Sequence, residues 1–219
     1  MPQNAGFPFP ADTVSVIDVM QSRKSVRSFD PDRKLPRNEL ERILQAAVTA
    51  PSSWNLQHWR FLVLETPSSK AKCYPIAWNQ EQILSSSCVI AVLGDLEPYR
   101  RGKNIFSKQV ELGNMPETLM DTYLRSLPPK YGDRDFALQD AVRNASLAAM
   151  QLMLAAKSLG IDSCPMIGFK PQEFADAFHI PDRYVPVMLI CLGYGVRDAH
   201  ATIRLPLEEA VYFECMKEM

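Results

Sequence analysis

The sequence is short of the residues that build metal sites and disulfide frameworks. It has three histidines and five cysteines in 219 residues, and the cysteines are scattered and never form CxxC. The histidines are far apart, with no HExxH and no acidic partner at ligand spacing. Neither a metal site nor a disulfide-stapled secreted domain is therefore indicated. This cysteine usage fits a reducing cytoplasm.

An excess of charge of one sign is also lacking. The chain has 24 basic and 25 acidic residues, for a formal net charge of −1. No global field attracts nucleic acid or an anionic membrane, so neither partner is expected. The most apolar segment, ASLAAMQLMLAAKSLG, is too short to span a bilayer, and residues 1–14 lack a signal-peptide pattern. Any anion that binds must be held by a local cluster of cations.

Hydrophobic residues, by contrast, are plentiful. They make up 47% of the chain, enough at this length for one well-buried domain over residues 1–219. Near-continuous apolar runs predict buried strands at 60–65, 88–94 and 186–193. Apolar spacing predicts a short helix after Asp12 with apolar residues 14, 17 and 20, a helix over LPRNELERILQAAVTA stopped by Pro51, and a long helix over 139–160 closed by Gly160.

Two other segments are harder to place. Residues 95–136 hold prolines, glycines and mixed charge with helical spacing only locally, and we expect a surface excursion or lid. About 203–219 forms a C-terminal arm whose apolar side chains have no nearby partner strand, and another subunit is one candidate for covering them. The 139–160 helix is apolar on several sides and likewise needs several neighbours.

The octamer SRKSVRSF, residues 22–29, carries a positive charge or a hydroxyl at nearly every position. In an extended chain, Arg23, Ser25 and Arg27 point to one side and the intervening residues to the other. Two guanidiniums flanking a hydroxyl suit a phosphate or another anion attached to a polyol. A solvated strand face is the alternative, because charge runs are usually only solvated.

Two further stretches add hydrogen-bonding groups or close backbone approach. APSSWNLQHWRF, residues 50–61, follows a predicted helix and precedes a predicted strand, and its polar side chains lie between two tryptophans. The alternative is an ST-turn with the tryptophans as core anchors. SCPMIGFKP, residues 163–171, has a proline and a glycine that permit close approach to a ligand, or that form a plain turn before a helix starting near Pro171.

Taken together and in this order, these stretches resemble the nitroreductase family of FMN-dependent oxidoreductases, from about Met20 to Leu205. SRKSVRSF is similar to that family's phosphate-and-ribityl segment, and APSSWNLQHWRF to its P-S-S-x-N-x-Q-P-W block. GIDSCPMIGF with IPDRYVPVMLICLGYG resembles the loop over flavin N5 and the following strand, and IRLPLEE the late arginine block. The resemblance implies an α+β nitroreductase-like fold, with a central mixed sheet flanked by helices, in an intertwined homodimer with FMN at each interface.

The resemblance also assigns roles at the phosphate and pyrimidine ends of FMN. Arg23 and Arg204 would hold the phosphate, and Ser25 the ribityl or phosphate oxygens. Arg27 would meet the pyrimidine edge, and Asn79 the pyrimidine side. Departures from the family pattern are His58 where proline is usual, Gln82 where some members have lysine, Ile167 where some have an acidic residue, and Thr202 where some have a second phosphate-binding cation.

A second group would come from elsewhere in the dimer. Ser52, Ser53 and Asn55 would be contributed by the opposite subunit, and the backbone around Ile167 and Gly168 would face N5 and O4. The full cofactor-binding set implied by the resemblance is Arg23, Lys24, Ser25, Arg27, Pro51, Ser52, Ser53, Asn55, Gln57, Asn79, Gln82, Ile167, Gly168 and Arg204.

The implied activity is reduction of an electrophile, such as a nitroaromatic or a quinone, at the expense of NADH or NADPH in two steps. Hydride chemistry occurs at flavin N5, so no catalytic side chain and no metal are expected. The chain has no GxGxxG, which fits a nicotinamide co-substrate that binds only transiently. Two alternatives stay open: a relative specialised for enones, halogenated aromatics or free flavin, and a non-catalytic FMN sensor or store.

Overall fold

The structure is a computed structural model, and it describes residues 15–197 and 199–216. Residue 14 of the first predicted helix and residues 217–219 of the C-terminal arm lie outside this description. The strands are β1 (Trp59–Leu64), β2 (Cys88–Asp95), β3 (Asp162–Met166) and β4 (Tyr184–Gly193). The helices are α1 (Val16–Ser22), α2 (Arg37–Ala47), α3 (Pro67–Ile76), α4 (Gln82–Ser85), α5 (Gly102–Glu111), α6 (Glu117–Tyr131), α7 (Arg134–Ser158), α8 (Pro171–Ala177) and α9 (Leu207–Ala210).

The described strands form one sheet in the order β1-β2-β4-β3, and each adjacent pair is antiparallel. The fold is the predicted α+β arrangement of a sheet flanked by helices. The resemblance implied a mixed sheet; within the described ranges, the parallel component is the isolated bridge between Ser25 and Ser163. The three predicted strands are confirmed to within two residues at each end.

Helices cover both faces of the sheet, which explains why its central strands are apolar throughout. β2 is buried along its whole length. Ile90 and Val92 face the cluster that includes α2 and α7, whereas Val89 and Ala91 face the cluster that includes α3 and α8. Each residue of the strand therefore loses contact with water, as the unbroken apolar run predicted.

Strand β3 was not predicted, because the sequence SCPMIGF reads as a turn. The strand lies at the edge of the sheet, paired only with β4 among the described elements. Proline lacks the N–H that an inner strand needs, and an edge position tolerates it. Pro165 therefore fits a strand whose other side is paired, within the described residues, through the isolated bridge at Ser163. The helix expected near Pro171 is confirmed as α8.

The long helix α7 begins five residues earlier than the predicted 139. The Asp133 side chain caps it by accepting hydrogen bonds from the backbone N–H groups of Asp135 and Phe136. One face packs on the sheet, while Val142, Leu147 and Met150 stay partly exposed. The helix is thus apolar on more than one side, as predicted. Within the described residues, no helix is long and apolar enough to cross a membrane.

The segment 95–136, which we expected to be a surface excursion or lid with helical spacing only locally, is mostly helical. After the end of β2 it forms a short 3-10 turn (Pro98–Arg101) and the helices α5 and α6. These helices bury an apolar cluster of their own with Phe106 and Leu127, which also holds Leu56. Prolines 128 and 129 lie inside α6 and hid its helical pattern. The C-terminal arm, by contrast, is exposed over 201–216.

Candidate functional site

The cationic segment after α1 is extended and fastened to the edge of the sheet. Ser25 bridges to Ser163, and the Val26 N–H donates to the Ser163 carbonyl at 3.0 Å. Val26 and Phe29 are buried. With Val26 turned inward, the alternation places Ser25 and Arg27, and with them Arg23, in a row on the opposite side. Phe29 is buried as well, so this alternation ends before it.

The structure brings together the two arginines that were predicted to bind phosphate. Arg23 and Arg204 line one cavity of about 640 Å³, together with Lys24 and Thr202. Arg and Lys side chains donate charge-assisted hydrogen bonds and match the oxygens of a phosphate. Lys24 also lines a neighbouring cavity of about 500 Å³ with Lys157 and Arg197. The donor set of this corner suits a doubly charged anion.

The loop after α2 carries the second predicted group and is conformationally strained. Trp54, Asn55 and Gln57 have φ angles of 52°, 53° and 52°. Asparagine tolerates this left-handed region, but the two larger side chains adopt it at a cost. The hydroxyl of Ser52 accepts a hydrogen bond from the Gln57 N–H at 3.0 Å. A conformation of this kind persists only where the surroundings impose it.

A buried carboxylate beneath the loop supplies that constraint. Asp140 Oδ2 lies 3.0 Å from His58 Nε2 and accepts from Tyr131 Oη at 2.6 Å. Its Oδ1 accepts from Ser53 Oγ at 2.9 Å and from Asn144 Nδ2 at 3.0 Å. Asp140 and three of its partners, His58, Tyr131 and Asn144, are almost completely buried, whereas Ser53 is only partly buried. Each oxygen of Asp140 thus has two donors from the protein, which stabilise the charge.

These contacts shift the ionisation of both acidic groups. Burial by itself raises the pKa of the Asp140 carboxyl, but the hydrogen bonds from His58, Tyr131 and Ser53 outweigh burial and hold that pKa well below its usual range. Burial and the hydrogen bond to Asp140 raise the pKa of Tyr131 far above its usual value. Tyr131 uses its single proton on Asp140, so the 2.8 Å contact between His58 Nε2 and Tyr131 Oη places a hydrogen on Nε2.

The predicted pyrimidine side is formed by the turns after α3 and β3. The Gly168 carbonyl accepts from Gln80 Nε2 at 2.7 Å, and a Cβ at Gly168 would lie 3.3 Å from the Trp78 ring. Ile167 is 81% exposed. Asn79 is also exposed, with a φ of 55°. The backbone of the 167–168 turn is therefore accessible at a position where only glycine fits comfortably.

Gln82, which the resemblance placed in the cofactor-binding set, lies in the interior. Its amide donates to Gln80 Oε1 at 3.0 Å and to Met166 Sδ at 3.4 Å. The contact orients Gln80 and acts on the 167–168 turn through it. Arg27 interacts with Cys164 of β3: burial raises the pKa of that thiol, and the charge and hydrogen bond of the guanidinium partly offset the shift.

Within one chain, the structure does not bring the two predicted groups together. Trp59, next to the strained loop, pairs with Gly94 of β2, and Gly94 pairs with Val185 at the start of β4. Ser163, beside the Arg23 row, pairs with Leu192 near the end of β4. The path from Trp59 to Ser163 thus runs seven residues along a strand and three strand spacings across the sheet, which places them roughly 25 Å apart. Helix α7 gives a second measure: Asn144 touches the loop, and 13 residues of helix separate it from Lys157, or about 20 Å.

Sequence reasoning missed Asp140, Asn144 and Tyr131. The first two are spaced i, i+4 on a helix, which places them on one face, but a polar pair within an otherwise apolar helix carries no sign of its partner. That partner lies about 90 positions away in the loop. His58 was noticed only as a departure from the family's usual proline.

Comparison with known proteins gives a consistent result over nearly the whole chain. The model of the "Nitroreductase family" matches residues 20–194. A Bacillus subtilis (strain 168) protein named "Putative NAD(P)H nitroreductase YodC" is 43% identical over 195 residues, or 89% of this chain and 96% of that protein. A Lactiplantibacillus plantarum protein named "CLA biosynthesis enone reductase" is 35% identical over 192 residues, covering 85% of this chain and 88% of the other.

Among solved structures, a "putative nitroreductase in complex with FMN" from Exiguobacterium sibiricum is similar, with a TM-score of 0.84 and 35% identity. The match covers 92% of this chain and 98% of that one. The crystal structure of CLA-ER, described as an enone reductase of gut-bacterial fatty acid saturation metabolism, has a TM-score of 0.81 at 33% identity and covers 92% and 98% of the two chains.

Proposed function

The chain belongs to the nitroreductase family, and from this premise we propose that it works as an FMN-dependent oxidoreductase using NADH or NADPH to reduce an electrophilic small molecule. The observation that carries the proposal is the convergence of Arg23, Lys24 and Arg204 on one cavity, from opposite ends of the chain. A site with three cations suits a terminal phosphate. It matches the cofactor named for the similar Exiguobacterium sibiricum structure.

The residues of this corner fit FMN. Arg23, Lys24 and Arg204 would hold the phosphate, and the Ser25 hydroxyl the ribityl or phosphate oxygens. Arg27 would lie at the pyrimidine edge, and the backbone of the 167–168 turn at N5 and O4. Because the Gly168 carbonyl already accepts a hydrogen bond from Gln80, the turn would contribute a backbone N–H to the flavin.

The bound cofactor would supply hydride acceptance and donation at N5. The chain itself would orient the ring and neutralise the phosphate. The exposed Ile167 would present an apolar surface beside the ring, where some relatives carry an acid. The open turn there leaves room for a nicotinamide and then an acceptor to use the same face in succession, which is the proposed two-step exchange.

We propose that two subunits build each site. A side chain reaches only a few ångströms from its backbone, and roughly 20–25 Å separate the Arg23 group from the Ser52–Asn55 loop in one chain. A separation of this size favours a site in which the Ser52–Asn55 loop comes from a second subunit. Partly exposed apolar side chains on α7 (Val142, Leu147) and exposed ones on the arm (Ile203, Phe213) offer a surface for a second copy.

The dimer would also give the remaining segments their roles. Leu56 of the strained loop packs into the α5–α6 cluster, so a loop that reaches the partner's flavin would place the 95–136 excursion beside that flavin as a lid. The arm from about 203 would pack on the partner. We propose that residues 1–219 act as a single domain, and that the five free cysteines, four of them buried, reflect a reducing cytoplasm.

Two measurements test the proposed function. Chromatography of the heat-released cofactor from purified protein should identify FMN; FAD, or no flavin after reconstitution with FMN, would contradict it. The holoenzyme should then oxidise NADH or NADPH when a quinone or nitroaromatic is supplied, with electrons recovered in the acceptor. Bound FMN without turnover with any acceptor would favour the sensor or store.

A conjugated enone is the second candidate acceptor. The Lactiplantibacillus plantarum relative named as an enone reductase is 35% identical over most of both chains. Comparing kcat/KM for an enone, a quinone and a nitroaromatic under one NAD(P)H concentration decides between them. An enone value at least tenfold above the other two would favour the specialised reading.

A further inference from the structure

We propose that Asp140 is a positioning residue for FMN binding, and that Ser53 is the anchor through which it acts and not itself a flavin ligand. The inference rests on the proposed shared site. It concerns the contact between Ser53, in the strained loop, and Asp140, in the helix α7 beneath that loop. It also revises the family resemblance, which placed Ser53 among the residues that touch the cofactor.

The hydroxyl of Ser53 uses its only proton and one of its lone pairs inside its own chain. It donates its only proton to Asp140 Oδ1 at 2.9 Å and accepts from Asn144 Nδ2 at 3.2 Å. The backbone N–H of Ser53 is also used, donating to Asn144 Oδ1 at 2.8 Å. Ser53 therefore has no proton left to donate to a phosphate oxygen, or to a ribityl oxygen that acts as an acceptor.

Its neighbours are placed differently. Ser52 Oγ accepts from the Gln57 N–H, so its own proton stays available for a ligand. Asn55 is exposed at the outer side of the loop. Fixing Ser53 to α7 thus leaves Ser52 and Asn55 turned outward, in a backbone whose φ angles are positive at Trp54, Asn55 and Gln57.

The carboxylate is essential to this arrangement because all four side chains around it donate. Replacing Asp140 with asparagine puts an NH₂ group against two of the donors at Tyr131, His58, Ser53 or Asn144, whichever way the amide is turned. In either orientation the remaining contacts are no longer made to a charged acceptor, and they weaken. We therefore expect Asp140→Asn to fold, to hold Ser53 less firmly, and to raise the Kd for FMN about tenfold or more.

A double-mutant cycle separates an anchor from a ligand. Ser53→Ala and Asp140→Asn should each weaken FMN binding, and the double variant should bind FMN no more weakly than Asp140→Asn alone. If Ser53 touched FMN independently, the two losses would multiply. Multiplying losses in a flavin-fluorescence titration would overturn the anchor role.

Mixed dimers show at which site Asp140 acts. In a purified heterodimer of differently tagged Asp140→Asn and Arg23→Ala chains, both lesions fall on one shared site, so half the flavin should bind at normal affinity. A heterodimer of Asp140→Asn with Asn55→Ala carries one lesion at each site and should show no tight flavin. The reverse pattern would mean that Asp140 acts within its own chain's Arg23 site. General destabilisation would instead weaken both sites in both pairings.

A third heterodimer, Arg23→Ala with Asn55→Ala, tests the shared site itself. If this pair regains half the flavin and the Asp140→Asn pair with Arg23→Ala does not, the positioning role is wrong and the proposed function stands. If this pair regains nothing, the shared site fails and the positioning role fails with it. Should Asp140→Asn not fold, Tyr131→Phe removes one donor to the same carboxylate and is tested in the same pairings, with the same expected pattern.

Discussion

Arg183 binds Asp95 through two parallel hydrogen bonds, from Nε to Oδ1 and from Nη2 to Oδ2, each at 2.7 Å. Asp95 is completely buried at the end of β2, and Arg183 lies just before β4. The same carboxylate also pairs with Arg101, and Arg183 Nη2 donates to the Glu97 carbonyl at 2.9 Å. The pair therefore joins two strands to the start of the 95–136 excursion.

Removing this arginine should destabilise the fold. Arg183→Ala leaves a buried carboxylate with one guanidinium in place of two, and we expect a loss of about 3 kcal/mol in the free energy of unfolding. Arg183→Lys should lose less, because it keeps the charge but not the two-pronged geometry. Urea unfolding of the apo protein measures both. Lys108→Ala, which breaks an exposed pair with Glu111, is the control and should cost well under 1 kcal/mol; equal losses at the two positions would contradict the prediction.

The contribution of Asp140 to stability should depend on pH in a predictable direction. Its folded-state pKa lies below that of an unfolded aspartate, about 3.9. The stabilisation is therefore complete above about pH 5 and is lost as the pH falls below 4, because the unfolded chain then binds a proton that the folded chain does not. Asp140→Asn cannot show this loss. The difference in free energy of unfolding between wild type and variant should shrink by up to about 1.4 kcal/mol per pH unit in that range.

Urea titrations at pH 7, 5 and 3.5 give the measurement, with apo protein so that flavin release does not interfere. His58 and Tyr131 are the titratable side chains in contact with the carboxylate, and both are present in wild type and variant alike. A difference that stays constant, or grows, on acidification would show that Asp140 is not held ionised by its neighbours.

The two predicted arginine contacts should differ in their importance for FMN. Arg204→Ala removes a cation from the Arg23–Lys24 cavity, where Thr202 offers only a hydroxyl as a substitute. We expect its Kd for FMN to rise about tenfold or more. Arg27→Ala loses a contact to the uncharged pyrimidine edge and should raise the Kd less. Flavin-fluorescence titration compares them, and equal losses, or a greater one at Arg27, would mean that the roles are misassigned.

Gly195 controls how closely the cationic segment approaches the sheet. A Cβ there would lie 2.9 Å from Asp162 Oδ2 and 3.0 Å from Val26 Cγ1. Gly195→Ala therefore forces the Asp162 carboxylate or Val26 to shift, and we expect a cost of about 1–3 kcal/mol in the free energy of unfolding. FMN affinity should fall with stability. The neighbouring Val196→Ala, at a side chain that is 55% exposed, is the control and should leave both unchanged.

Patterns local in the sequence determined much of this protein. The unbroken apolar run of β2 required burial on both faces, and helices do cover both faces. Val26 and Phe29 were the only residues of SRKSVRSF suited to burial, and both are buried. The convergence of Arg23 and Arg204 was expected only from the family resemblance. Their spacing of 181 positions does not by itself indicate that they lie together. Local sequence pattern predicts burial correctly where a residue's environment depends on the helix or strand that contains it.

Tertiary structure alone decided the features that depend on distant partners. A lone proline made β3 look like a turn, and only its edge position permits a strand there. The prolines of α6 concealed a helix that its apolar cluster stabilises. Asp140 is one acidic residue among 25 in the sequence; it becomes distinctive because folding surrounds its carboxylate with four donors drawn from positions 53, 58, 131 and 144. Burying a charge is costly unless such donors are present, and no local pattern records which distant residues will supply them.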